Sequence, residues 1–147
     1  MRFRGVIFDL DGTLLNTLED LAASTNAALG AFSMPPRTVD EVRRMVGNGI
    51  GNLIRRAVPA GTDEKTAELV LTAFRAHYAD HALDRTELYP QAQETLRGLK
   101  AAQIPCAVVS KRRTLRCRPS TRPFSGAMWP APSASGRASP ASRIRVW

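Results

Sequence analysis

Residues Phe3 to Leu15, FRGVIFDLDGTLL, pass from an apolar, β-branched and aromatic run into an acidic turn within a few positions. Phe3 to Leu10 has the pattern of a buried strand, and the Asp-Gly step after it is a breaker. Alternate side chains of an extended chain share a side, so Asp9 and Asp11 point the same way at the C-terminal end of that strand. Such a pair has a direct chemical use. One Asp acts as nucleophile and metal ligand, the other gives and takes protons, and Gly12 allows a tight turn whose N–H groups are left for an anion. Asp-Gly is also common in ordinary turns. Weighing against that reading, an unpaired carboxylate closing a buried strand is costly without a metal or a partner.

Outward from this stretch the chain alternates helix signals with one more strand. Asn16 to Phe32 carries apolar residues at Leu18, Leu21, Ala22, Leu29 and Phe32, with Gly30 near its end and Pro35-Pro36 beyond, which predicts an amphipathic helix. Thr38 and Glu41 form a capping box that opens a helix through Val42, Met45 and Val46, ended by Gly47-Asn48-Gly49. Ile50 to Val58 predicts a short helix. Thr62 to His81 predicts a longer one, with Thr62 as its cap, Asp63 and Glu64 in the first turn, and Ala67, Val70, Leu71, Phe74 and Tyr78 on one face. Pro90 suits the first position of another helix, with Leu96 and Leu99 inward. Ile104 to Ser110 (IPCAVVS) is the second strand-like run, and it ends in a small polar residue. A strand, a series of helices and a further strand give an α/β chain with a helical insertion after the first strand. Chemistry in such sheets gathers at the strand C-termini.

The chain's 147 residues, 44% hydrophobic and 23% charged, fit a globular protein and exclude collagen-like or disulfide-framework classes. The net charge of +8 is unevenly spread: Met1 to Ser110 holds 13 acidic and 12 basic residues, whereas Lys111 to Trp147 holds 9 basic and no acidic ones. Cys106 and Cys117 match neither a disulfide framework nor a zinc spacing, so a reducing, cytoplasmic location is expected. Asp9 and Asp11 interrupt the N-terminal apolar run, which is too short for a signal peptide. No run reaches the roughly 18 apolar residues of a spanning helix, so no membrane partner is expected. His77 and His81 stand four apart, but Tyr78 occupies the place where a metalloprotease motif needs Glu and no third ligand is evident. They read as surface histidines without a role.

VIFDLDGTLLNT at Val6 to Thr17 resembles the first motif of the haloacid dehalogenase superfamily of phosphotransferases. VGNGIGNLIRRA at Val46 to Ala57 is similar to the cap segment of the phosphoglycolate phosphatases in that superfamily, and LYPQAQETLRGLKAAQIPCAVVS at Leu88 to Ser110 resembles the helix and second-motif strand returning from cap to core. The resemblance spans residues 3–110. It implies an incomplete Rossmann-like parallel-sheet core at 1–15 and 87–110, and an inserted all-helical cap at 16–86. It also implies a phosphatase acting on a small phosphorylated metabolite, 2-phosphoglycolate, yielding glycolate and phosphate. Asp9 would form an aspartyl-phosphate and bind Mg²⁺. Asp11 would protonate the leaving alkoxide, then activate water, with its backbone carbonyl on the metal. Ser110, Gly12 and Thr13 would serve the phosphoryl group and its loop. A hard cation suits a carboxylate site without Cys or His.

The resemblance further places the turn Gly47, Asn48 and Gly49, with Arg43 or Arg44, at substrate selection, and an Arg suits a small carboxylate. By themselves these residues also read as a helix stop and a solvated face. The family's later motifs, a Lys and an acidic group completing the metal shell, have no counterpart in the usual order. No Asp or Glu follows Glu94, no Lys follows Lys111, and Lys111 comes directly after Ser110, where relatives usually carry Ser-Asn-Lys. A marginal fold, weak Mg²⁺ binding and slow or absent turnover are therefore expected.

Lys111 to Trp147 lacks either apolar periodicity and is dense in Arg, Ser, Pro, Ala and Gly, a composition expected to be disordered. Two readings stay open. The tail is a basic arm for nucleic acid or other polyanions, with Phe124 and Trp129 available to stack, or it is the out-of-frame product of a GC-rich gene. The first makes the chain a non-catalytic polyanion binder. Oligomeric state is not encoded in any spacing.

Overall fold

The computed structural model describes residues 4–110 and 143–146. Ten elements follow in order: β1 (Val6–Asp9), β2 (Leu15–Asn16), α1 (Leu18–Gly30), α2 (Val39–Met45), α3 (Ile50–Ala57), α4 (Glu64–His81), β3 (Glu87–Leu88), α5 (Pro90–Ala101), β4 (Cys106–Ser110) and β5 (Arg143–Val146). The class is α/β, with β1 and β4 parallel. The chain divides into two compact units, one from the described residues of Met1–Leu15 and Leu88–Trp147, the other Asn16–Glu87. It crosses between them at β2 and β3, which pair as a two-stranded sheet.

In the first unit the sheet order is β1-β4-β5. β1 and β4 run side by side in the register Val6 to Cys106, Ile7 to Ala107, Phe8 to Val108 and Asp9 to Val109. Leu10, Leu14, Leu15, Ala92 and Val108 are buried together, with Phe8, Leu88, Tyr89 and Leu96 packed on them. Pro90 takes the first turn of α5, where its missing N–H costs nothing. One expectation needs correcting: β1 is not buried on both faces. Burial alternates along it, and Ile7 is 73% exposed. Among the described residues β1 lies at the sheet edge with one face uncovered, which an apolar run cannot disclose. A second correction concerns the tail. Arg143–Val146 forms a strand antiparallel to β4, where no element was expected. The remaining tail readings, disorder and polyanion binding, lie outside the described residues.

The second unit is helical, and its core is built from α1, α2, α3 and α4. Leu29, Val42, Ile54, Ala57, Val70 and Phe74 are buried to within 1%. Each larger side chain among them contributes about 1.5–3 kcal/mol by leaving water. The capping box at Thr38 is complete: Thr38 Oγ1 accepts from Glu41 N, and Glu41 Oε2 accepts from Thr38 N at 2.7 Å. These Thr38 hydrogen bonds hold the Glu41 carboxyl below its usual range. The cap of α4 is Asp63 and not Thr62. Asp63 Oδ1 accepts from Thr66 N at 2.9 Å, while the Thr62 hydroxyl donates to Pro59 O and closes the preceding turn. Adjacent cap-competent residues compete for one position, and the carboxylate accepts more strongly.

Three side chains tie non-adjacent segments together. Asn26 pairs with both backbone groups of Arg37 at 2.8 Å, and Arg37 Nε donates to Ala57 O at the end of α3. Asp20, 1% exposed, accepts from Arg85 N at 2.9 Å and from Thr86 Oγ1 at 2.7 Å. That contact fastens the entry of the helical unit to its exit. Asp20→Ala leaves the Arg85 amide without its acceptor, while Thr86 keeps its bond to Ala82 O. The expected cost is about 2–4 kcal/mol, read as a lower midpoint in urea unfolding of the full chain. A midpoint unchanged by the substitution would show that the fastening carries no net stability.

Candidate active site at the ends of β1 and β4

β1 delivers Asp9 as its last residue, and the chain then curls back on itself. Leu14 N and Leu15 N both reach Leu10 O at 3.0 Å, Thr13 N reaches it at 3.4 Å, and Gly12 N donates to Leu15 O at 2.9 Å. Gly12 takes φ +78°, a conformation that a residue bearing Cβ adopts only with strain. Buried Leu10, Leu14 and Leu15 anchor the loop from below, and Leu14 O accepts from Tyr89 N at the start of α5. Apolar residues thus hold an acidic loop in one shape.

Asp9 is exposed, and its Oδ1 accepts from Leu10 N at 2.9 Å, which orients the carboxylate without burying it. Asp11 lies two residues on and is half-buried, with Oδ1 shielded from solvent. Ser110 closes β4. Because Asp9 stands opposite Val109 in a parallel pair, Ser110 lies one residue beyond the level of Asp9 on the neighbouring strand. Neighbouring strands are about 4.8 Å apart, so the end of one strand brings the acids and the end of the next brings the hydroxyl to the same edge of the sheet. Asp9, Asp11, Gly12, Thr13 and Ser110 are in this way gathered in one unit.

The amides of the loop depart from expectation. Gly12 N–H and Thr13 N–H are turned inward to Leu15 O and Leu10 O, so the turn does not leave these two for an anion. The six-residue curl consumes them, a cost that the Asp-Gly signal alone does not reveal. The side-chain hydroxyls at this end of the sheet are those of Ser110 and the exposed Thr13. Cys106, also on β4, has its thiol pushed up by burial, which makes it a core side chain and a poor nucleophile.

Arg43, Gly47, Asn48 and Gly49 lie in the helical unit. All four are exposed. Gly47, Asn48 and Gly49 take φ of +132°, +58° and +92°, a run of left-handed residues that stops α2 and starts α3. Asn48 O accepts from Asn52 Nδ2 at 2.9 Å, and Arg43 Nη1 is paired with Asp40 Oδ1 at 2.6 Å.

The donor set at β1 can be tested for a cation. Two carboxylates two residues apart, one with a shielded oxygen, and no nitrogen or sulfur ligand in the loop are the donors of a hard divalent ion such as Mg²⁺. Among the described residues no three His, Cys, Asp or Glu side chains converge on one point, so backbone carbonyl and water would complete the shell. Asp20 and its partners escaped the sequence pattern. The available signal was the i, i+4 ridge Asp20, Ser24, Ala28, which puts polar and small residues on a face of α1 that packs inward.

The chain is similar to known hydrolases. A family model described as haloacid dehalogenase-like hydrolase matches residues 6–122. The chain is 38% identical over 132 residues to a phosphoglycolate phosphatase of Mannheimia succiniciproducens, covering 84% of this chain and 58% of that protein. It is 39% identical over 115 residues to phosphoglycolate phosphatase 1 of Pseudomonas aeruginosa, covering 74% of this chain and 42% of that one. A crystal structure of a predicted phosphoglycolate phosphatase from Haemophilus somnus superposes with a TM-score of 0.67 at 35% identity, over 76% of this chain and 53% of the other. The chain thus spans about half the length of the curated relatives it matches. No helix among the described residues is long and apolar enough to cross a membrane.

Proposed function

The chain belongs to the haloacid dehalogenase-like hydrolases, and on that premise we propose that it is a Mg²⁺-dependent phosphatase of small phosphomonoesters, with 2-phosphoglycolate as substrate. The observation that carries this reading is the parallel register that brings Ser110 to the same sheet edge as Asp9 and Asp11. Asp9 through its carboxylate and Asp11 through its backbone carbonyl would hold Mg²⁺, which when bound offsets the negative charge that keeps carboxylate and phosphate apart.

The chain's own groups then divide the work. Leu10 N–H holds Asp9 Oδ1 and so fixes the attacking carboxylate. A carboxylate oxygen of Asp9 bonds to phosphorus as the ester P–O bond breaks, and protonated Asp11 gives its proton to the departing glycolate oxygen. Asp11, now a carboxylate, takes a proton from water. The water oxygen attacks phosphorus, freeing Asp9 and inorganic phosphate. The Ser110 and Thr13 hydroxyls hydrogen-bond the transferring group, and Gly12 keeps the loop tight beneath it. In the helical unit, Arg43 and Asn48, with Gly47 and Gly49 shaping the turn, are the exposed polar groups whose chemistry suits a small carboxylate. Such a reaction on a small metabolite suits a cytoplasmic protein.

Phosphate release from 2-phosphoglycolate by the full chain tests the reading. Slow release is expected, at least about tenfold faster with millimolar MgCl₂ than with excess EDTA, and faster than from glucose 6-phosphate. Absence of Mg²⁺-dependent release from any small phosphomonoester would overturn it for this chain. Equal rates on both esters would retain the phosphatase and remove the substrate assignment.

A further inference from the structure

The acid-bearing unit contains one strand that the phosphatase reading does not use. β5 runs antiparallel to β4 in the register Ala107 to Val146, Val108 to Arg145, Val109 to Ile144 and Ser110 to Arg143. The reversal of direction sets the start of β5 at the level where β4 ends. Arg143 therefore stands directly opposite Ser110, at the edge of the sheet where β1 delivers Asp9, whereas Arg145 stands two residues back from that edge, opposite Val108. Residues opposite one another in an antiparallel pair have Cα atoms about 4.5–5.5 Å apart. The order β1-β4-β5 puts Asp9 and Arg143 on the two strands that flank the strand of Ser110.

We propose that Arg143, set opposite Ser110 at this sheet edge, is a cationic residue that binds the phosphoryl group there, an inference that rests on the phosphatase reading. Register and charge support it independently. The register brings a basic residue from near the C-terminus of the chain to the end of the strand that carries the Ser110 hydroxyl. A site residue on a paired strand is positioned more precisely than one on a loop. The charge at this edge is otherwise negative. Even with Asp11 protonated, Asp9, a phosphate dianion and Mg²⁺ together leave one surplus negative charge. One arginine balances it, because a guanidinium keeps its charge at every working pH and offers parallel N–H donors to two phosphate oxygens. Arg145 carries the same charge on the same strand but lies about 7 Å further from the edge, which makes the effect of position separable from that of net charge.

Calorimetric titration of inorganic phosphate into the full chain, in millimolar MgCl₂ and about 0.15 M NaCl, tests the assignment, since long-range contributions of exposed charges are largely screened at that salt. One equivalent is expected to bind. Arg143→Gln should weaken it at least about tenfold, and Arg143→Lys, which keeps the charge but not the paired donors, by only about two- to fivefold. Arg145→Gln should change it by less than about twofold. The proposal is overturned by absence of saturable uptake, by uptake that Arg143→Gln leaves intact, by equal weakening in Arg145→Gln, or by uptake lost in Lys111→Gln instead. Mg²⁺-dependent phosphate release that Arg143→Gln leaves unaltered removes the arginine and retains the phosphatase. Phosphate uptake that depends on Arg143 in a chain without Mg²⁺-dependent release retains the arginine as an anion ligand and removes the phosphatase.

Discussion

Asp9→Asn is expected to reduce Mg²⁺-dependent phosphate release to background, a loss of about 10³-fold or as far as the assay reads. The amide keeps the shape of the carboxylate and an oxygen to accept from Leu10 N, now at 2.9 Å, so the loop keeps its form. It loses the charge that attacks phosphorus and the charge that draws the cation. Removal of a nucleophile has cost about 10⁶-fold in a well-developed hydrolase, and a slow enzyme offers a smaller range to lose. Asp9 is exposed at a strand end, so the melting temperature should not change. Unchanged melting with lost release is the signature of chemistry. Release persisting in Asp9→Asn would remove the proposed nucleophile, and a fall in melting temperature would make Asp9 a structural residue.

Phe74→Ala is expected to be the most destabilising single truncation in the helical unit. The ring has no exposed surface, and it stacks on Tyr78 at a centroid distance of 5.3 Å. It belongs to the cluster that joins α1, α2, α3 and α4, so its truncation leaves a cavity among four helices. Truncations of this kind cost about 3–5 kcal/mol, which is comparable with the whole stability of a small unit. Thermal unfolding followed at the helical band should shift down by roughly 10 °C or more, or lose its cooperative transition. Phe74→Leu, which retains most of the volume, should cost less than about 1.5 kcal/mol. Equal melting temperatures for Phe74→Ala and the unsubstituted chain would contradict the packing described.

The elements legible from sequence were those whose signals are local. The 3.6-residue spacing marked α1 and α4, the Thr38 and Glu41 box marked the start of α2, and Pro90 marked the start of α5. The α/β class followed from two apolar runs separated by helices. Partner-dependent features were not legible. Asp63 and Thr62 are both competent caps, and only the hydrogen bond of Thr62 to Pro59 separates them. The exposure of Ile7 depends on what covers a face, and β5 depends on an edge offered by β4. At the candidate site, Asp9 and Asp11 stood out because acids rarely end an apolar strand. The inward turning of the Gly12 and Thr13 amides did not, because it arises from the return of Leu14 and Leu15 to Leu10 O.

The pairing of β2 with β3 bears on how proteins of this kind diversify. Both passages of the backbone out of the acid-bearing unit are neighbours, so everything from Asn16 to Glu87 is a closed excursion whose ends already meet. A segment of that form can be exchanged for a longer, shorter or differently shaped one, by recombination or by design, while the two anchoring points stay where they are. Such an exchange leaves the acids at the strand end unaltered, because none of them lies between the two anchoring points.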